Sequence, residues 1–309
     1  MTPPPKLQPG NPDDNYPVNE QDSADFNVGG VHRTLPEKQQ LEQLVSYIDA
    51  TYPLPDFTPP WKGGAGDPFP ADQYTALLPD RITHAAMLML GSAVDHSMPG
   101  VAFAGDVQVQ DVLSIGARQF TPSEPTGRWA ISLHSGGWWR GSGNALEHSW
   151  RPEVAAVAEL SGTTILDVDY PLAPKHTVKE MRDTVEQAIG YAKHHSPSSI
   201  SAWGYSSGAA LAALVAPLVD GLVLTFPDLE SLGNLPAEIR GEARISEAAS
   251  WPRTLVQIAL DDEIASRPKV DGLSNVEVKE YYSTHRIATP EVSRQKIKDV
   301  AEFLGSVDR

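Results

Sequence analysis

Residues 202–211 read AWGYSSGAAL and contain the pattern G-x-S-x-G, with Gly204, Ser206 and Gly208 in its fixed places. That spacing suits a sharp strand-to-helix turn that presents a serine hydroxyl, because flanking glycines let neighbouring chains approach closely. A serine hydroxyl attacks poorly until an imidazole takes its proton, and the imidazole needs a carboxylate to fix its tautomer. With this turn the partners follow in the chain order serine, acid, histidine. Of nine histidines only His285 lies beyond Ser206. Between the two, the apolar run TLVQIAL ends in Asp261, Asp262 and Glu263, so three carboxylates compete for the role of acid. His148, His176, His194 and His195 precede any suitable acid and are expected on the surface or in loops.

The elements needed to position these groups are legible. SSISAW before the serine reads as a strand, and ALAALVAPLV after it reads as a helix apolar nearly all round, as a buried central helix must be. Short apolar runs near 107–115, 129–133, 164–168, 200–203, 222–226, 255–260 and 276–282 alternate with amphipathic helical stretches, which predicts a mostly parallel sheet covered on both faces. Thr289, Pro290 and Glu291 form a helix start, and Gly305 ends the helix whose apolar face is Ile297, Val300, Ala301 and Leu304. These elements make residues 105–309 one α/β catalytic domain. Residues 36–104 hold two helical stretches, 36–50 and 72–95, joined by PLPDFTPPWKGGAGDPFP, and read as a lid or a packed arm. Residues 1–35 are rich in Pro, Asp, Asn and Gly and read as a flexible leader.

Three stretches then come in a recognisable order. LHSGGWWRGSG (133–143), DVDYPLAP (167–174) and GYSSG (204–208) together resemble the H-G-G-G-W, D-Y-x-L-A-P and G-x-S-x-G motifs of the hormone-sensitive-lipase-like serine esterases, whose fold is the α/β-hydrolase. The resemblance implies that the amides of Gly136, Gly137 and Ser207 form an oxyanion hole, that His134 orients the glycine loop, and that Tyr170 and Asp169 are structural, with Asp169 satisfying local backbone. Ser135 stands where that family has a glycine, and Pro171 where it has arginine. Family strands end in D-x-[LI], which aligns with Asp262-Glu263-Ile264 and favours Asp262 over Asp261, with Glu263 pointing away or starting a helix. Trp138, Trp139 and Tyr205 are expected at the substrate pocket, one of the tryptophans doubling as core.

The formal charge of −16 repels phosphate backbones and anionic membrane surfaces, so nucleic acid is not an expected partner. Cysteine is absent, which excludes disulfides and Cys-based zinc sites, and no H-E-x-x-H motif is present. No apolar run is long enough for a membrane span. The expectation is a cytoplasmic hydrolase of small-molecule esters, with no cofactor and no metal. The alternative within the enzymes is an amide or formamide hydrolase on the same triad. The alternative outside them is a catalytically silent binding protein. Only about 28 residues separate the strands ending near Phe226 and starting near Leu255, room for about one or two short helices, so a small cap and a short acyl pocket are expected.

Overall fold

The computed structural model describes residues 25–28, 31–91, 94–103 and 105–308. A two-stranded hairpin, β1 (Asp25–Val28) and β2 (Val31–Thr34), precedes α1 (Glu37–Thr51), α2 (Phe69–Met89) and the short α3 (Pro99–Ala102). The leader expected over 1–35 lies largely outside the described residues, and the hairpin occupies the part that is described. The main body follows as β3 (Gln108–Val112), β4 (Ala117–Thr121), β5 (Trp129–Leu133), α4 (Arg151–Ser161), β6 (Thr164–Val168), α5 (Val178–His194), β7 (Ile200–Tyr205) and α6 (Ser207–Leu214). It ends with β8 (Gly221–Thr225), α7 (Ala237–Arg240), β9 (Arg253–Ala259), β10 (Val276–Tyr281) and α8 (Pro290–Gly305).

Eight strands form one sheet in the order β10-β9-β8-β7-β5-β6-β4-β3. Neighbours from β10 to β6 are parallel, while β4 runs antiparallel to both β6 and β3. This is the mostly parallel sheet, covered on both faces, expected from the alternation of runs. One expectation needs correction. The stretch 107–115 is not a single strand: β3 ends at Val112, the chain reverses through Gly116 at φ 61°, and β4 returns beside it. A left-handed turn residue permits that reversal, and glycine adopts it without strain. The second helical stretch also begins earlier than expected, at Phe69, and ends at Met89.

Side chains alternate across the sheet and build a core on each face. In β8, Leu222 and Leu224 face one core with Met181 and Val185 of α5 and Leu211 of α6. Val223 faces the other, with Val154 and Val157 of α4 and Ile297 and Val300 of α8. Both faces are therefore dry, which is why β5, β6 and β8 are buried at every position and read as continuous apolar runs. α6 is buried along its whole length. Leu41, Leu44 and Ile48 of α1 pack on Tyr74, Leu78 and Ile82 of α2 in a third cluster, which Ile287 joins from the loop after β10.

β5 has β6 on one side and β7 on the other, so chain order reverses there and leaves a crevice at the carboxyl ends of β5 and β7. Into that crevice run the glycine loop after β5 and Ser206 after β7. The approach is close: a Cβ on Gly208 would lie 2.3 Å from the His134 carbonyl oxygen and 2.4 Å from that of Leu133. Gly208→Ala should therefore destabilise the chain by about 2 kcal/mol or more through overpacking against backbone that cannot yield. Denaturant unfolding of the variant against the parent measures it, and equal midpoints would refute the close packing of α6 on β5.

Candidate active site

Ser206 joins β7 to α6 with φ 58° and ψ −119°, a left-handed conformation rare for a residue with a side chain. Its N–H donates to the Thr225 carbonyl on β8 at 3.0 Å, and its own carbonyl accepts from Asp228 at 3.2 Å. A Cβ at Gly204 would lie 2.2 Å from the Gly208 carbonyl oxygen, so only glycine closes the turn. The hydroxyl is raised above the sheet on a residue that is otherwise buried.

His285 lies on the loop after β10. Its Nε2 is 2.8 Å from Ser206 Oγ, and its Nδ1 is 2.8 Å from Asp262 Oδ2. The chain Ser206–His285–Asp262 is thus continuous, with Nδ1–H donating to the carboxylate and Nε2 accepting from the hydroxyl. Asp262 lies just beyond β9, and its other oxygen accepts the amides of Ile264 and Ala265 at 2.8 and 2.7 Å. Burial works to raise the Asp262 pKa, but His285 and these two amides outweigh it and hold the carboxyl below its ordinary value. Asp261 is exposed. Glu263 corrects its expectation: it does not point away, since Oε2 accepts the backbone N–H of His285 at 2.7 Å and Oε1 pairs with Arg286 at 3.1 Å.

Across the crevice, Gly136 and Gly137 have φ of 139° and 60°. A Cβ on Gly136 would sit 1.8 Å from the Arg140 carbonyl oxygen, which Ser135 escapes by lying one residue earlier. Among the described residues the amides of Gly136, Gly137 and Ser207 donate to no protein acceptor. His134 is buried, stacks on Tyr170 at 4.3 Å, and bonds the Ser135 carbonyl through Nδ1 at 2.6 Å; burial lowers its pKa and keeps the ring neutral. Tyr170 donates to the His134 carbonyl at 2.8 Å. The Asp169 carboxylate accepts from the Ser142 hydroxyl at 2.9 Å, a side-chain partner in place of the backbone groups expected.

These groups open onto a cavity of about 360 Å³. Ser206, His285, Gly136, Trp138, Trp139 and Tyr205 all line it, although both tryptophans are almost wholly buried and Trp138 donates to Ser231 Oγ at 2.9 Å. The N-terminal arm supplies the outer wall through Phe57, Pro59, Trp61, Thr75 and Leu78. Phe57 lies between two guanidinium groups, 4.5 Å from Arg140 on the glycine loop and 4.3 Å from Arg286 beside the histidine. Asp72 of α2 accepts from the Gly141 amide at 3.0 Å and pairs with Arg140 at 3.5 Å. Burial lowers the Arg140 pKa to about 10 and raises that of Asp72, so each group relies on the other for its charge.

Sequence reasoning did not find Arg140, Asp72, Phe57 or the second role of Glu263. Arg140 lies inside the glycine motif, and its charge in so apolar a stretch was the signal available; its partner is 68 positions earlier and carries no motif. Among the described residues no cluster of His, Cys, Asp and Glu could hold a metal, and no helix is long and apolar enough to cross a membrane.

Residues 130–269 match the family described as alpha/beta hydrolase fold. Among solved structures the chain is similar to an esterase of Pyrobaculum calidifontis, with 18% identity and TM-score 0.52 over 78% of this chain and 93% of that one. It is similar to an arylesterase, with 17% identity and TM-score 0.54 over 88% of this chain and 98% of that one. An esterase from the bacterial hormone-sensitive lipase family shows 16% identity and TM-score 0.53 over 88% and 99%. No curated protein matches the chain. The fold implied by the three motifs is borne out: the chain has the α/β-hydrolase fold.

The Asp72–Arg140 contact ties the arm to the glycine loop. Asp72→Ala leaves a buried guanidinium without its carboxylate and should cost about 3 kcal/mol. Chemical denaturation checks this, and a loss below the cost of a surface pair would show that the arm is not anchored there.

Proposed function

We propose that this α/β-hydrolase-fold chain is a serine hydrolase that cleaves carboxylic esters of short to medium acyl length through an acyl-enzyme. The observation that carries the reading is the unbroken hydrogen-bonded chain from Ser206 Oγ through both ring nitrogens of His285 to Asp262, with unengaged amides across the same crevice.

The chemistry follows from that geometry. Ser206 Oγ attacks the carbonyl carbon as His285 Nε2 takes its proton, and Asp262 stabilises the imidazolium by accepting from Nδ1. The carbonyl oxygen becomes an oxyanion facing the amides of Gly136, Gly137 and Ser207, fixed dipoles that need no reorganisation when charge appears. The bond to the alkoxide breaks as Nε2 returns its proton, leaving the acyl group on Ser206. Water then repeats the sequence with His285 as base and releases the acid. Ester hydrolysis is favoured over a silent binding role because the nucleophile, base, acid and donor positions are all filled. The similar solved structures are esterases, which supports the same reading.

Ser206→Ala should abolish ester turnover and fluorophosphonate labelling while the fold persists, a loss on the order of 10⁶ in kcat. Asp262→Asn should cost about 10⁴, and Asp261→Asn little, because only Asp262 touches the imidazole. Labelling retained at another serine, or the reverse ranking of the two aspartates, would overturn the assignment. Turnover of an aryl formamide above that of the matching aryl ester would move the substrate to the amide class.

The cavity supports a size limit. Its volume of about 360 Å³ is at the small end for ligand sites, and its walls come from the arm and from the short segment after β8 that carries Asp228, Ser231 and Leu235. Each added methylene gains roughly 0.8 kcal/mol only where it can be buried. Acetyl to hexanoyl esters should therefore show a higher kcat/KM than dodecanoyl esters; a constant rising steadily to long chains would contradict a small pocket.

A further inference from the structure

His285 is held by more than its imidazole. Its backbone N–H donates to Glu263, the residue that follows Asp262, and its backbone carbonyl accepts from the hydroxyl of Tyr205, the residue that precedes Ser206. Each sequence neighbour of the other two members of the chain thus grips one side of the histidine's main chain. The Tyr205 ring also stacks on the imidazole, with centroids 5.5 Å apart and planes at 22°. Beneath it, Lys296 Nζ lies 5.5 Å from the ring centre and pairs with Glu153 at 3.3 Å.

Packing alone does not fix this loop. A second cavity of about 60 Å³ borders both His285 and Tyr205, with Ile82, Phe226, Thr284 and Lys296 among its other walls, so packing around the loop leaves a gap. A buried phenol is costly unless its hydroxyl finds a partner, and phenylalanine would pack equally well at 205. Burial drives the Tyr205 hydroxyl above the ordinary phenol range, so it remains a neutral donor.

We propose that Tyr205 and Glu263 are positioning residues: together they clamp the backbone of His285 so that its ring bridges Ser206 and Asp262. The proposal rests on the serine-hydrolase reading above. Neither residue exchanges a proton with substrate. Their contribution is to keep Nε2 within reach of Ser206 Oγ while Nδ1 stays on Asp262, because a small displacement of a catalytic group lowers rate steeply without altering substrate affinity.

The test compares Tyr205→Phe, Glu263→Ala and Glu263→Gln in the full chain, with an aryl acetate as substrate and a fluorophosphonate as probe. Tyr205→Phe and Glu263→Ala should each lower kcat about tenfold with KM within about twofold, and slow labelling of Ser206 to a similar degree. Glu263→Gln keeps a carbonyl oxygen to accept the His285 N–H and should recover most of that loss, whereas a role confined to the Arg286 ion pair would gain nothing from the amide. A kcat within twofold of the parent in Tyr205→Phe and Glu263→Ala, a loss confined to KM, or a Glu263→Gln no better than Glu263→Ala would overturn the clamp. Thermal unfolding monitors the fold; should Tyr205→Phe not fold, the Glu263 pair decides, since that side chain is exposed. A parent that is not labelled at Ser206 would instead refute the hydrolase reading itself.

Discussion

The left-handed backbone of Ser206 is the constraint on which the site depends. Holding a residue with a side chain at φ 58° costs about 1–3 kcal/mol and persists only where surroundings over-determine it. Here they do. The β8 carbonyl takes its N–H, Asp228 donates to its carbonyl, and Gly204 and Gly208 admit backbone closer than any Cβ allows. Trp138 after β5 and Phe226 after β8 also have positive φ. Three of the four non-glycine residues so found among those described therefore crowd the carboxyl ends of neighbouring strands. The strain is concentrated where the sheet turns its chain ends toward substrate, and the dry cores below supply the stability that offsets it.

The electrostatics of the cavity follow a similar economy. The chain is strongly acidic, yet Lys62, Arg140 and Arg286 line the cavity. Both guanidinium groups are engaged by carboxylates, Arg140 by Asp72 and Arg286 by Glu263, and both face the ring of Phe57. They brace loops and are not free charges awaiting an anion. On the proposed ester hydrolysis, the charge that matters would appear only during reaction, and the amides of the glycine loop and of α6 would be oriented in advance of it.

Much of this was legible in the sequence because it is local. A serine between glycines after an apolar run, a glycine pair after another, and the only histidine beyond the serine each follow from short stretches, as does the helix from Pro290 to Gly305 with its Thr289 cap. The acid was harder, since Asp261, Asp262 and Glu263 are chemically alike and only the path of the chain beyond β9 decides which meets the imidazole. The hairpin of β3 and β4 was missed because Gly116 lies in an otherwise continuous run whose reversal rests on pairing with β6. Arg140 with Asp72, and Tyr205 with the carbonyl of His285, were out of reach for the same reason. Each joins residues far apart in sequence through groups that carry no motif, and a backbone carbonyl has no signature in sequence.

The arm is bound to this arrangement at its other end as well. Ile287, two residues past His285, packs into the cluster that holds α1 against α2, while Asp72 and Phe57 reach the glycine loop and Arg286. The outer wall of the cavity and the loop that carries the histidine therefore share one apolar core. Thr284 stiffens the link, its hydroxyl accepting the amides of Arg286 and Ile287 at 3.2 and 3.0 Å. A displacement of α1 and α2 large enough to widen the cavity must pull on Ile287, and through that turn on His285, whose ring has only a hydrogen bond's tolerance at each end. On the serine-hydrolase reading proposed above, cover and base would thus be coupled: the arm would limit which substrates enter and help keep His285 Nε2 beside Ser206.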